Sequence, residues 1–381
     1  MDFELSEEHE AFRKVVRDFA EQEIAPHAER WDREHEFPLE VVRSMGELGW
    51  FGLPFPPEYG GSGADFLTVC VAIEELARVD SSVAITLEAA VGLGAAPIAA
   101  FGTEEQRLHW LPDLCAGRAL AAFGLTESEA GSDAGATRTR ARRDGDEWVI
   151  NGSKEFITNS GTPITSLVTV TARTGGVRDI TAIVVPAGTP GFVVEPAYRK
   201  MGWHASDTHP LRFDECRVPV ANTLGVEGEG FRQFLVILDD GRIAIAALAV
   251  GLAQACLEQS VRYAGERASF GVPIGAHQGV AFRCADLAVM VENARLLTRK
   301  AAWLKDTGRP FKQAAAMAKL YATEAAVDAA RHATQIFGGA GFMDETPVSR
   351  FYRDAKVLEI GEGTSEIQRL VISRELGLPV R

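Results

Sequence analysis

Apolar positions follow a helical period at both ends of the chain and shorter, β-rich runs in its middle. In roughly the first 115 residues the period is helical. Leu5, Phe12, Val15, Val16 and Phe19 share one helix face behind Ser6, a favoured capping residue. Thr103-Glu104-Glu105-Gln106 is a capping box that opens another helix. Between them, Phe55-Pro56-Pro57-Glu58-Tyr59-Gly60-Gly61-Ser62-Gly63 is a long turn-rich loop. From Leu120 to Val226 the runs are short and β-branched. Trp148-Val149-Ile150 follows an Asp144-Gly145 turn, and residues 167–170 and 180–185 are further strands. They predict a compact β-domain, a barrel or a sandwich. Helices then return and lengthen over residues 231–262, 281–303 and 312–337, as three or four antiparallel members of a bundle. The fold class is therefore α+β: an N-terminal helical domain (1–118), a middle β-domain (119–226) and a C-terminal helical bundle (227–381).

Charge and cysteine usage narrow the function classes. A net charge of -14 with no basic run speaks against a nucleic-acid partner, which needs clustered cations. It leaves room for a small phosphorylated ligand. The five cysteines (Cys70, Cys115, Cys216, Cys256, Cys284) form no CxxC pair, and nothing has metal-ligand spacing. Reduced, mostly buried thiols in a cytoplasmic protein are expected. The acidic start, Met1-Asp2-Phe3-Glu4, lacks the features of a signal or transit peptide. No apolar run is expected to reach membrane-spanning length, since residues 89–102 are few and interrupted by Pro97.

Six segments carry candidate chemistry. In Ile360-Gly361-Glu362-Gly363-Thr364, a carboxylate between two glycines precedes a helix that Thr364 can cap. It is placed as a base, or simply as an acid favoured at a helix start. Phe123-Gly124-Leu125-Thr126-Glu127-Ser128-Glu129-Ala130-Gly131-Ser132-Asp133 runs from a strand into a loop of small and hydroxyl residues. Its amides could hold a flat ring or a pyrophosphate, or it is an ordinary polar loop. Phe156 could stack on a planar ligand with Thr158 at its rim, or be a core residue. Arg267, ahead of Phe270-Gly271 and His277-Gln278, could pair with a phosphate. Gln335-Ile336-Phe337-Gly338-Gly339 closes a helix and permits close backbone approach. Asp239 and Arg242 share a helix face, which a surface ion pair would also explain.

In this order along one chain, the segments resemble the acyl-CoA dehydrogenase family over essentially the full length. The likeness takes in Leu5-Ser6-Glu7-Glu8, Pro57-Glu58-Tyr59-Gly60-Gly61, Thr126-Glu127 with Ala130-Gly131-Ser132-Asp133, Asn151-Gly152-Ser153-Lys154 and Ile157-Thr158-Asn159. It continues through Arg267, Phe270-Gly271, Gln335, Phe337-Gly338-Gly339, Arg353-Asp354-Ala355-Lys356 and Glu362-Gly363-Thr364. The resemblance implies FAD, a homotetramer and an acyl-CoA substrate, with electrons passing to an electron-transfer flavoprotein. It implies that Phe123, Leu125, Thr126, Gly131, Ser132, Phe156 and Thr158 line the flavin. Arg267, Phe270 and Gln278 would reach the FAD of a neighbouring subunit, with Gln335, Gly339, Thr364 and Glu366 also beside FAD. Asp239 and Arg242 would face CoA, Ser132 would touch substrate too, and Gly361 and Gly363 would flank the acyl group. Glu362 would take the α-proton while the β-hydrogen leaves as hydride to flavin N5. The Glu362 amide and a ribityl hydroxyl would hold the thioester oxygen. Desolvation should raise the pKa of Glu362 and strengthen it as a base.

Two departures stand out. Gly361 replaces the tyrosine or other bulky residue that many relatives carry before the glutamate, which leaves both branched and straight acyl groups open. His204, in Trp203-His204, stands where an arginine is frequent, and a structural role is expected for it. One subset of the family draws its base from the helix holding Asp239 and Arg242, but the corresponding residue is Gly241. A flavin oxidase of the same fold and a non-catalytic binding protein are the competing functions.

Overall fold

The computed structural model describes residues 4–176 and 179–380. The chain begins with α1 (Glu7–Phe19), α2 (Ala28–Glu34), α3 (Leu39–Glu47), α4 (Phe66–Ala77), α5 (Ser81–Glu88), α6 (Ala96–Phe101) and α7 (Glu104–Cys115). Ser6 caps α1 by accepting from the His9 amide at 3.2 Å. Val16 is buried, whereas Val15 lies on the solvent side of the stripe. The capping box of α7 closes both ways: Thr103 N–H donates to Gln106 Oε1 (2.9 Å) and Gln106 N–H donates to Thr103 Oγ1 (3.2 Å).

α5 runs through a π-helical turn, Ala89–Ala95, into α6. The resulting run Ser81–Phe101 is long and apolar enough to cross a membrane by length and composition, which corrects the sequence expectation. Pro97 does not break it, because Pro97 sits in the first turn of α6, where its missing N–H costs little. Its most apolar window is 72% buried in the protein, so the run is a core element here.

The middle of the chain forms β1 (Leu120–Gly124), β2 (Arg140–Asp144), β3 (Glu147–Thr158), β4 (Thr165–Arg173), β5 (Ile180–Pro186), β6 (Phe192–Val194), β7 (Thr208–Pro219) and β8 (Thr223–Leu224). They make one mixed sheet, ordered β6-β7-β3-β2-β4-β5-β8, with β1 added parallel to β4. β2 meets β4 at one register pair, Arg140 with Arg173. The sheet bends along that seam, so Trp148 and Ile150 of β3 share an interior with Val168, Val170, Ile183 and Phe213. Alternate residues of β4 and β5, such as Leu167 and Val184, point the other way into the helical core.

The last part holds α8 (Gly230–Glu266), a hairpin of β9 (Ala268–Ser269) and β10 (Val272–Pro273), α9 (Gln278–Asp306), α10 (Lys312–Phe337), α11 (Pro347–Leu358) and α12 (Ser365–Glu375). α8 is buried on every side from Gly241 to Ala253. Small side chains such as Ala246, Ala249 and Ala253 on α8 and Ala322, Ala326 and Ala329 on α10 fill the bundle interior. One polar seam joins all three parts. Asp32 of α2 pairs with Arg353 of α11 and with His204 Nδ1 (2.9 Å), from the segment between β6 and β7.

Candidate active site

The turn after α11 is built from both sides. Glu362 has φ 51°, in the left-handed region where a residue with a Cβ is strained, and Gly363 follows at φ 91°. Lys319 Nζ donates to the Gly363 carbonyl at 2.8 Å, and Gln368 Nε2 donates to the same oxygen at 2.9 Å. Thr364 caps α12 by accepting from the Ile367 amide (3.3 Å). Among the described residues the Glu362 N–H has no backbone acceptor.

The Glu362 carboxyl is aimed at α8. Glu362 is half-buried as a residue, but its Oε2 is sealed from solvent and has no hydrogen-bond donor in reach among the described residues. Oε2 lies in the space a Cβ at Gly241 would take. The Glu88 carboxyl approaches the same spot, its Oε1 lying 3.8 Å from that Cβ position. Burial pushes Glu362 up to about 7, against opposing effects from Glu88, Lys319 and Arg242. Burial and the neighbouring Glu362 push Glu88 well above the usual carboxylate range. Lys319 is brought down to about 8 by burial.

Glu88 is held by its helix. Asp80 caps α5 by accepting from the Ser82 and Val83 amides (2.9 and 3.0 Å). Asp354 of α11 accepts from Ser81 Oγ (2.8 Å), and Asn159 Nδ2 donates to the Thr86 carbonyl (3.0 Å). The π-turn therefore follows a helix that is fixed from two domains. Gly94 within it lies against the Ala121 backbone of β1, too close for any side chain.

A buried ion pair organises the loop after β1. Lys154 Nζ donates to Glu127 Oε1 (2.7 Å), the Leu125 carbonyl (3.2 Å), and the hydroxyls of Thr137 and Thr171 (both 3.1 Å). Glu127 also accepts from the Thr137 hydroxyl and the Arg138 amide, both at 2.6 Å. Burial lowers Lys154 to about 8, while Lys154 and the donors hold Glu127 at about 2 despite its burial. Both shifts leave the pair ionised at neutral pH. Lys154→Met would strand a buried carboxylate, at a cost of roughly 3–5 kcal/mol. The expected result is a lower melting temperature with loss of bound flavin, read by thermal denaturation and flavin absorbance.

The other expected residues fall into three groups. Phe123 and Leu125 are buried, with Phe123 stacked on Phe234 of α8 (centroids 3.9 Å). Thr126, Gly131, Ser132, Phe156 and Thr158 border an open face. The Thr126 carbonyl accepts from the Glu155 amide (2.8 Å), which brings Phe156 beside the loop. Phe156 is not core: it is 64% exposed at φ 62°, with Tyr198 5.2 Å away. Arg267, Phe270, Gln278, Gln335, Gly339 and Glu366 lie on the surface. Phe270, at the β9–β10 turn, is 92% exposed. Among the described residues no hydrogen bond or ring contact ties Arg267, Phe270 or Gln278 to Glu362 or to the 126–132 loop.

Asp239 and Arg242 are paired, but not as an exposed surface bridge. Arg242 is buried and its Nε has no acceptor among the described residues. A cavity of about 510 Å³ lies elsewhere, between Glu21, Arg78, Glu258 and Arg350. Its charged, open walls share none of the groups around Glu362.

Residues 6–118, 122–216 and 228–377 match the N-terminal, middle and C-terminal domains of acyl-CoA dehydrogenases. The chain belongs to the acyl-CoA dehydrogenase family. It is 52% identical over 380 residues to the Probable acyl-CoA dehydrogenase YngJ of Bacillus subtilis (strain 168), covering 99% of this chain and 100% of the relative. It is 45% identical to the short-chain specific acyl-CoA dehydrogenase of Clostridium acetobutylicum, covering 99% and 100%. Its structure is similar to that of butyryl-CoA dehydrogenase from Megasphaera elsdenii, with a TM-score of 0.96, 42% identity, and coverage of 99% and 100%.

This acyl-CoA dehydrogenase is an oxidoreductase that uses FAD. The residues present fit that cofactor. Phe156 offers an exposed ring beside the 126–132 loop, and a Cβ at Gly131 would meet nothing within 4 Å. An exposed aromatic face next to open amides and the Ser132 hydroxyl suits a flat ring with a polar rim.

Proposed function

We propose that the enzyme carries out α,β-dehydrogenation of a short-chain acyl-CoA, with Glu362 as the base that takes the α-proton. One observation carries this reading: a carboxylate on a strained turn, sealed against Gly241 and raised to about 7. A base with that affinity for a proton is matched to a weak carbon acid near neutral pH. The free Glu362 N–H supports a role in holding the thioester oxygen as charge develops there. Arg242 and Lys319 limit how far the pKa of Glu362 climbs, so a useful fraction is ionised at pH 7. Bound FAD supplies the two-electron acceptor. Thr126, Ser132, Phe156, Thr158 and Thr364 would hold it, and Asp239 with Arg242 would meet the CoA portion.

The short-chain specificity draws on the two relatives named for short-chain and butyryl substrates. A Cβ at Gly361 would meet only the Val357 carbonyl, at 3.5 Å, so the glycine does leave room. Branching at the acyl group is thus a second outcome to be tested. An electron-transfer flavoprotein as acceptor follows the family resemblance, as does a homotetramer. The exposure of Phe270, Arg267 and Gln278 is consistent with assembly, since the family resemblance implies that these residues reach a neighbouring copy's FAD. The five free thiols support a cytoplasmic setting.

Anaerobic flavin bleaching by a panel of straight, branched and cyclic acyl-CoAs tests the reading. Fastest bleaching by butyryl-CoA supports it. Preference for branched chains replaces the substrate but keeps the chemistry, and no bleaching by any acyl-CoA removes the reading. Peroxide formed on aerobic turnover would favour an oxidase.

A further inference from the structure

Glu88 is not among the residues the sequence singled out, yet it is the side chain that meets Glu362. It is fully buried at the end of α5. Both of its oxygens, and Glu362 Oε2, are sealed from solvent without a donor in reach among the described residues. Two carboxylates facing each other can only accept, and repel when both are ionised. The pair is satisfied when one oxygen carries a hydrogen, which it donates to the other carboxyl.

The surrounding charges decide which member is neutral. Arg242 of α8 and Lys319 of α10 both act on Glu362 and favour its ionised form. Asp239 of α8 is paired with Arg242, while Glu359 and Glu366 act on Lys319 from either side of the turn. For Glu88, desolvation and Glu362 are the influences, and among the described residues no cation offsets them. With Glu88 neutral, the anions Glu362 and Asp239 balance the cations Arg242 and Lys319 at the centre of the site.

We propose that Glu88 is a positioning residue for Glu362: it keeps its proton and donates it in a hydrogen bond to the Glu362 carboxylate. The bond keeps that carboxylate ionised and aimed across Gly241. This rests on Glu362 being the base. It also accounts for an acid in the otherwise uncharged run Ser81–Phe101, where an unpaired carboxylate would be costly.

Two isosteric variants test it in the flavin-loaded enzyme. Glu88→Gln can still donate, from its amide. Glu88→Met keeps the volume without a donor. The rate of flavin reduction by one acyl-CoA is measured against pH, with flavin content and melting temperature as controls. Glu88→Met should move the acid limb up by roughly one to two pH units, the size expected for losing a hydrogen bond to a charged group. Glu88→Gln should leave the limb near that of wild type. The infrared carbonyl band of a neutral carboxylic acid, recorded above the acid limb of each enzyme so that Glu362 is ionised, should be present in wild type and absent in both variants. An unmoved or downward-moving limb in Glu88→Met overturns the proposal, as does a Glu88→Gln limb that follows Glu88→Met. Survival of the infrared band in both variants does so as well. Failure of wild type to be bleached by any acyl-CoA removes the parent reading instead.

Discussion

Glu362→Gln should retain bound FAD and lose flavin bleaching by acyl-CoA, by roughly 10²–10⁴-fold or more. The amide keeps the shape of the side chain and the backbone N–H, so binding and oxyanion contacts survive while the proton acceptor is gone. Stopped-flow bleaching with the flavin spectrum as a loading control measures this. Full residual bleaching would mean another group takes the proton. The same variant has a stability signature. The carboxyl moves from an ordinary 4.5 to about 7 on folding, so the folded state binds its proton more tightly. Glu362 therefore costs folding stability as pH rises from about 4.5 through about 7, and no further above it. The melting temperature of the variant relative to wild type should increase between pH 5 and pH 8, then level off.

Gly241→Ala is expected to do the converse damage: sound protein with a displaced base. A Cβ there would overlap Glu362 Oε2, the flexible end of a side chain rather than backbone. The carboxylate can move aside, and alanine favours the interior of α8 by about 1 kcal/mol over glycine. Melting temperature should stay level or rise. Misplacing a catalytic group by about 1 Å can cost about 10²-fold. Flavin reduction should fall by that order, with little change in bound flavin. A variant with wild-type reduction kinetics would show that the carboxyl is not held against Gly241 during catalysis.

These effects meet at a site that the sequence revealed unevenly. The helical ends and β-rich middle were legible because amphipathic periods reflect which face meets a core. The Glu362 turn was legible because glycines and a helix cap mark local geometry. What stayed hidden was contact between distant segments. Glu88 sits in an apolar helix whose period says only that it is inside. Its one signal was being the lone charged residue in Ser81–Phe101. Lys319 stands among alanines, where a lysine equally suits a solvated face. Asp239 and Arg242 share a face, but nothing local says that other helices cover it. Phe156 failed in the opposite direction: an aromatic in a strand suggests burial, and a positive φ at a register irregularity turns it outward.

The Asp32–Arg353–His204 seam has a consequence for how the chain comes apart. His204 Nε2 also faces the Lys200 carbonyl at 2.9 Å, so both ring nitrogens meet acceptors and the imidazolium is favoured. Helix, sheet and bundle segments are thus riveted at one charged junction, while Glu88, Asn159 and Glu362 are drawn from the same three parts. No segment carries a working site alone. Opening any one should dismantle base, partner and flavin face together, so flavin release and loss of secondary structure should report a single cooperative event.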